Sequence, residues 1–272
     1  MSMTIMNILG INMKCLAYEE MYPYFDAWLI DKTSRSHRLA VINVHICVTA
    51  LFDKELRDMY NSADIVGVDS MPFLKWARTF YKRDTDRFYA PDLMLEVSSK
   101  AKDKGYTFFL YGGYPEAPDK IEHYLMQRFD GIRVVGKYSP PFRELSEEKE
   151  NNICKMINDA EPDFLWIGLG SPKQDVWIRD HLDRIRGCIM MPSGATFDFF
   201  GGRIQQAPKW IRNSGFEWLF RLTQDFKRLW TRYTIYNVIF IVTFILQLLK
   251  VITFDKQGFL LLFGRRTSFG NS

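Results

Sequence analysis

Asp69 closes the apolar run Ile65-Val-Gly-Val68 and stands directly before Ser70 and a helix-like segment. A carboxylate delivered to a strand end can take a proton from a sugar hydroxyl, and it can equally cap the helix that follows; the local pattern leaves both roles open. A second stretch, Ile167-Gly-Leu-Gly-Ser-Pro-Lys-Gln174, ends another short apolar run. Gly168 and Gly170 let the backbone approach a ligand closely, Ser171 is placed to cap a helix, and Pro172 suits its first position. Lys173, Gln174 and the free N–H groups of that first turn then face whatever lies beyond the strand, which suits an anionic or sugar-bearing ligand. A third stretch, Leu110-Tyr-Gly-Gly-Tyr114, pairs Gly112 with Gly113 and permits close approach to a phosphate or nucleotide. The small residues and Asp198 of segment 191–202 either line the same cleft or make a compact turn. Asn43 and His45 alternate, so an extended backbone would aim both into one cleft.

These groups need a scaffold, and the middle of the chain alternates strand and helix patterns. Strands are expected at 39–46, 65–68, 106–111, 132–135, 164–167 and 188–191. Helices are expected at 53–61, 72–80, 91–104, 118–129, 146–159 and 173–183. That order predicts an α/β fold, a Rossmann-like and mainly parallel sheet flanked by helices. In such sheets ligands gather at the carboxyl ends of the strands, where the three loops above fall. At 272 residues the chain is long enough for one catalytic domain and an appendage, and its apolar and charged fractions are those of a globular protein.

The formal charge of +4 hides an asymmetry. Residues 203–272 carry eleven Lys/Arg against three Asp/Glu, a net +8, leaving −4 for residues 1–202. Basic residues there interleave with aromatics around Trp218, Phe226, Trp230 and Tyr233, and residues 233–249 hold no charge at all. That run favours a membrane surface over nucleic acid and falls near the roughly 17-residue lower limit for a spanning helix. The sequence leaves open whether it spans, lies in the interface, or is a buried core helix.

Cys15, Cys47, Cys154 and Cys188 form no CxxC pair, and neither they nor the four histidines show metal-ligand spacing. His37, His123 and His181 read as surface positions. Residues 1–10 lack the charged start and long apolar region of a signal peptide, so a reducing cytoplasmic location is the expectation. A nucleophile elbow and a P-loop lysine motif are both missing.

Taken in order, these segments resemble the WecG/TagA/CpsF family of bacterial glycosyltransferases. The matching residues are Val41-Ile-Asn-Val-His45, Ala63-Asp-Ile-Val-Gly-Val-Asp69, Asp86-Arg-Phe-Tyr-Ala-Pro-Asp-Leu-Met94, Phe109-Leu-Tyr-Gly-Gly113, Ile167-Gly-Leu-Gly-Ser-Pro-Lys-Gln174 and Phe197-Asp-Phe-Phe-Gly-Gly202. Ala207-Pro-Lys-Trp210 and Gly215-Phe-Glu-Trp-Leu-Phe-Arg221 follow, with Arg228, Trp230 and Arg232. The resemblance spans roughly residues 5–233.

It implies an inverting, metal-independent and cofactor-free transfer of a hexose from a UDP-sugar to a polyprenyl-diphosphate-linked saccharide. The product would enter an exopolysaccharide, capsule or wall polymer, on the cytoplasmic face of the bacterial inner membrane. Asp69 matches the family's proposed base. Asn43 would orient a sugar, Asp92 would bind donor or acceptor, and Gly112, Gly113, Gly170 and Gln174 would border the nucleotide-sugar. Arg221, Arg228 and Arg232 match family arginines that would hold the departing diphosphate. The implied division is a catalytic domain at 1–205, a basic appendage completing the active site at 206–233, and an apolar membrane-associated tail at 234–272. Homo-oligomers are also compatible with it.

Several positions depart from the family pattern. Val41 stands where many members carry threonine, Ser70 replaces a frequent glycine, and Ala90-Pro91 replaces a small polar pair. These leave the transferred sugar open, and the tail beyond Tyr233 reads as longer than the family's appendage. Two other readings compete: a catalytically inactive, membrane-tethered nucleotide-sugar-binding subunit of a polysaccharide assembly complex, and a Rossmann oxidoreductase. The second lacks Gly-x-Gly-x-x-Gly after its first strand and the ribose-binding acid.

Overall fold

The computed structural model describes residues 4–224, 226–254, 260–262 and 265–266; the side chains of Arg228, Thr231, Arg232 and of residues from 260 onward lie outside that description. The chain opens with a hairpin, β1 (Ile5–Ile8) and β2 (Ile11–Lys14), then α1 (Tyr22–Leu29), β3 (His37–Ile42), α2 (Val44–Phe52), α3 (Lys54–Asn61), β4 (Ile65–Val68) and α4 (Met71–Phe80). Next come α5 (Ala90–Ser99), α6 (Ala101–Lys104), β5 (Thr107–Gly112), α7 (Ala117–Met126), β6 (Arg133–Tyr138) and α8 (Glu147–Ala160). β7 (Phe164–Gly168), α9 (Lys173–His181), β8 (Ile189–Pro192) and α10 (Gly194–Phe200) complete the alternation. The C-terminal part holds α11 (Lys209–Ser214), α12 (Glu217–Gln224), α13 (Phe226–Leu248) and the short antiparallel strands β9 (Ile252–Phe254), β10 (Leu260–Leu262) and β11 (Arg265–Arg266).

The expected α/β architecture is present. The main sheet has six strands in the order β4-β3-β8-β7-β5-β6, with parallel pairing from β3 through β6. Packing divides the chain into two compact units: Met1–Leu16 with Ile42–Arg87 and Ala207–Ser272, and Ala17–Val41 with Phe88–Gln206.

The second unit owes its core to strands that are apolar on both sides. Every residue of β5 is buried, as are Phe164, Leu165, Trp166 and Ile167 of β7, the signature of central parallel strands covered on both faces. Ile153 and Ile157 of α8 and Trp177 and Ile178 of α9 pack against Phe109, Tyr111, Leu165 and Ile167. β6 alternates exposed and half-buried residues because it is the sheet's edge. α8 starts where expected because Ser146 caps it and three glutamates in its first turn suit the positive end of the helix dipole.

In the first unit, α13 lies against α2 and α4. The rings of Tyr236 and His45 are 4.6 Å apart, Phe240 and Phe73 5.4 Å, and Phe244 and Trp76 5.0 Å. Gln247 closes the contact by accepting from Leu9 N–H and donating to the Asn7 carbonyl, which fixes α13 to the hairpin. Ile235, Val238, Val242 and Ile245 recur at helical spacing on the opposite face and are exposed. Among the described residues no helix is long and apolar enough to cross a membrane.

Some expectations are corrected. The strand expected over 39–46 stops at Ile42 because Asn43 turns the chain into α2, its Oδ1 accepting from Ile46 N–H at 3.1 Å. His45 is therefore helical and faces Tyr236 rather than alternating with Asn43. The helix expected over 91–104 is two, separated at Lys100, and the segment at 191–202 ends β8 at Pro192 and then folds as α10. His181 is buried, its Nε2 at 3.1 Å from Glu150 and its ring stacked on Trp177.

Candidate functional site

Asp69 sits immediately past β4, and its N–H donates to the Ile42 carbonyl at the end of β3. Ser70 Oγ accepts from Val44 N–H at 3.2 Å, so the end of β4 is tied to the turn that carries Asn43. The N-cap position of α4 belongs to Ser70 and carries no side-chain cap bond, so Asp69 is not spent on the helix. Its carboxylate instead meets Arg87, whose Nε lies 3.2 Å from Oδ1 and also donates to the Asp69 backbone carbonyl.

Arg87 Nη1 reaches Glu217 Oε2 at 2.9 Å, placing a second carboxylate on the same guanidinium. Arg221, one turn along α12 from Glu217, adds positive charge to the surroundings of Asp69. The Asp69 side chain is 18% exposed, and Oδ2 has no hydrogen-bond partner among the described residues. Burial pushes its pKa above the ordinary carboxylate value, opposed by Arg87, reinforced by Glu217 and opposed again by Arg221. A carboxylate with one oxygen anchored, one open and raised basicity is suited to accept a proton. Asn43, which follows Ile42 and so stands on the turn tied to the end of β4, uses Oδ1 for its cap and leaves Nδ2 without a partner among the described residues.

Sequence reasoning gave Arg87 and Glu217 no role, although both lie inside the motifs quoted above. The available signal was a charge set among aromatics, Arg87 before Phe88-Tyr89 and Glu217 between Phe216 and Trp218, since buried charges need partners. The side chains of Arg228 and Arg232 fall outside the described residues.

The second unit gathers the glycine loops. Gly113 N–H donates to the Gly168 carbonyl at 2.9 Å, joining the ends of β5 and β7. A Cβ on Gly112 would come within 2.6 Å of the Gly168 carbonyl group, and one on Gly168 within 2.3 Å of the Phe197 ring. Close strand and helix packing therefore demands these two glycines. Gly170 differs: it has φ of +78° and open space where a Cβ would stand.

Gln174 is 5% exposed and turned inward. Its Oε1 accepts from Gly170 N–H and Gly194 N–H, both at 3.0 Å, and its Nε2 donates to Ser171 Oγ at 3.2 Å. It braces the loop against the start of α10 with its acceptor fully engaged. Pro172, not Ser171, occupies the N-cap position of α9, and Ser171 Oγ donates to Asp175 at 2.9 Å. Lys173 opens α9 and is exposed. Asp92 lies half-buried in the first turn of α5, and Asp198 on α10 pairs with Arg203 at 2.7 Å.

A cavity of about 310 Å³ opens beside Gly113, Gly168 and Leu169 at the ends of β5 and β7. Its lining sets Arg143 and Lys173 against Glu144 and Glu150, so the formal charges cancel. The triplet Asp84-Thr85-Asp86 is the Asp-x-Asp pattern of this chain. Asp84 there pairs with Arg78 at 3.2 Å, and Thr85 is buried on the Leu16 carbonyl. Among the described residues no three His, Cys, Asp or Glu side chains group as metal ligands. All four cysteines are buried and unpaired by disulfides.

The model of the glycosyl transferase WecG/TagA/CpsF family matches residues 6–253. That match passes the end of the expected resemblance and takes in all of α13, so the apolar helix belongs to the family pattern instead of extending it. With the motif order, the parallel sheet and a poised carboxylate at a strand end, the match covers nearly the whole chain, and this protein belongs to the WecG/TagA/CpsF family of glycosyltransferases.

Proposed function

We propose that this glycosyltransferase moves a hexose from a UDP-sugar to a polyprenyl-diphosphate-linked saccharide in one inverting displacement, with Asp69 as the base. The acceptor O–H gives its proton to Asp69 Oδ2 as its oxygen bonds to the anomeric carbon, and the bond from that carbon to UDP breaks with its electrons leaving on the diphosphate. The observation that carries this reading is the open, raised-pKa oxygen of Asp69 beside Arg87. Arg221, with Arg228 and Arg232, would neutralise the departing diphosphate in a reaction that needs no metal. Asn43 Nδ2 would orient a sugar hydroxyl, and the loops at Gly113 and Gly170 would face the donor.

The membrane part of the proposal rests on α13. With one face packed on α2 and α4 and the other apolar and open, it suits a helix lying in the interface at the cytoplasmic face of the inner membrane. Ile245→Glu should weaken sedimentation with anionic vesicles while leaving the melting temperature unchanged; vesicle binding equal to the wild type would count against it.

The central test is transfer of label from a panel of radiolabelled UDP-sugars into organic-extractable lipid, with EDTA present and polyprenyl-diphosphate acceptors supplied by membranes. Label entering lipid from one donor, and absent with Asp69→Asn, supports the proposal and names the sugar. Donor binding without transfer from any sugar would replace it with a non-catalytic subunit.

A further inference from the structure

Arg87 serves two carboxylates at once. A guanidinium with a single carboxylate partner tends to close on it through two parallel N–H···O bonds, and such a fork on Asp69 would occupy both of its oxygens. Instead Nε alone reaches Asp69 Oδ1 at 3.2 Å, and Nη1 is drawn to Glu217 Oε2 at 2.9 Å. Glu217 is 6% exposed; among the described residues neither of its oxygens has a hydrogen-bond donor, and its contact with Arg87 is an ion pair. A carboxylate so enclosed and so poorly supplied with hydrogen bonds is a liability for folding alone.

We propose that Glu217 is a positioning residue for the transfer reaction: by pairing with Nη1 it fixes the orientation of the Arg87 guanidinium, so that Nη2, the arm that would fork with Nε, does not close on Asp69 Oδ2, and that oxygen stays open to the acceptor hydroxyl. The proposal rests on the reading of Asp69 as the base. Among the described residues the charged groups acting on Asp69 are Arg87, from the segment after α4, and Glu217 and Arg221, both from α12. Asn43 and Ser70, on the adjoining turns, are neutral. Removing the charge of Glu217 releases Arg87 to Asp69, which loses both its open oxygen and part of its basicity.

The test compares the wild type, Glu217→Gln and Glu217→Asp in transfer kinetics across pH and in a titration of the ¹³C-labelled Asp69 carboxyl by NMR, assigned with Asp69→Asn. In Glu217→Gln the acid limb of kcat should move down by roughly one pH unit. Its plateau should fall about tenfold, with KM for the donor and the melting temperature little changed. Glu217→Asp, whose carboxylate is withdrawn by one methylene, should fall between. An unmoved NMR midpoint in both variants overturns the proposal whatever the activity, and so does a loss of activity that follows the melting temperature with the acid limb fixed. Failure of the underlying reading looks different: Asp69→Asn would keep full transfer.

Discussion

The two units hold their polar groups in opposite ways. Around Gly170 in the second unit each group is spent on its neighbours: Gln174 gives its acceptor to two backbone N–H groups, and Ser171 takes from Gln174 and gives to Asp175. Around Asp69 in the first unit the groups compete: two carboxylates meet one arginine, and among the described residues Asp69 Oδ2 and both Glu217 oxygens have no hydrogen-bond donor. Satisfied networks rigidify, whereas an underserved charge keeps the capacity to bind or react. Motifs of equal prominence in the sequence thus differ in the structure, one with its polar groups satisfied by neighbours and the other with charges left underserved.

The largest expected effect separates activity from stability at Asp69. Asp69→Asn should lower kcat by about 10²- to 10⁴-fold, the range a positioned base supplies. Because burial raises the pKa of Asp69, its protonated form favours the fold, and that contribution is present at low pH and lost as pH rises through the folded-state value. The asparagine variant should therefore melt at or above the wild-type temperature at pH 7, with the advantage shrinking in acid. Thermal melts at both pH values check this, and a large destabilisation at pH 7 would make Asp69 part of the frame. In the wild type, kcat should fall as pH drops through the Asp69 value, since Asp69 in its proposed role as base must be ionised.

Gly112→Ala probes the frame. Its Cβ would stand 2.6 Å from the Gly168 backbone at a φ of +125°, so β5 and β7 must part, at a cost of about 3 kcal/mol or more. Urea unfolding measures this, and an unaltered midpoint would show that the strand ends are looser than described. Gln174→Ala should be milder, costing about 1–3 kcal/mol for the unmet N–H groups of Gly170 and Gly194. A stable Gln174→Ala protein with a raised donor KM would move Gln174 from the frame to the ligand and break the contrast.

Legibility in the sequence followed periodicity. The strands at β4, β5 and β7 were readable because their residues are apolar on both sides and bounded by turn residues. The start of α2 was not, since Val44-His-Ile-Cys-Val48 is as suited to a strand and only the Asn43 cap marks the helix. The N-terminal hairpin was missed because its turn is Leu9-Gly10, with φ of 49° and 85°, in place of the familiar Asn-Gly or Asp-Gly pair. α10 is only seven residues of turn-like composition, too short for its period to show.

By itself the sequence determined the alternation of strands and helices, the placing of Asp69 at a strand's carboxyl end, the glycine loops at two others, and an uncharged apolar run near the C-terminus. Those properties are local, set by residue type and spacing over a few positions. The tertiary structure alone decided which charge each group meets. It brought Arg87 and Glu217 to Asp69, turned Gln174 into its own loop, and split α13 into a packed face and an open one. Electrostatic energies depend on distance and burial in space, which chain separation does not encode, and so the poised carboxylate became visible only once the chain was folded.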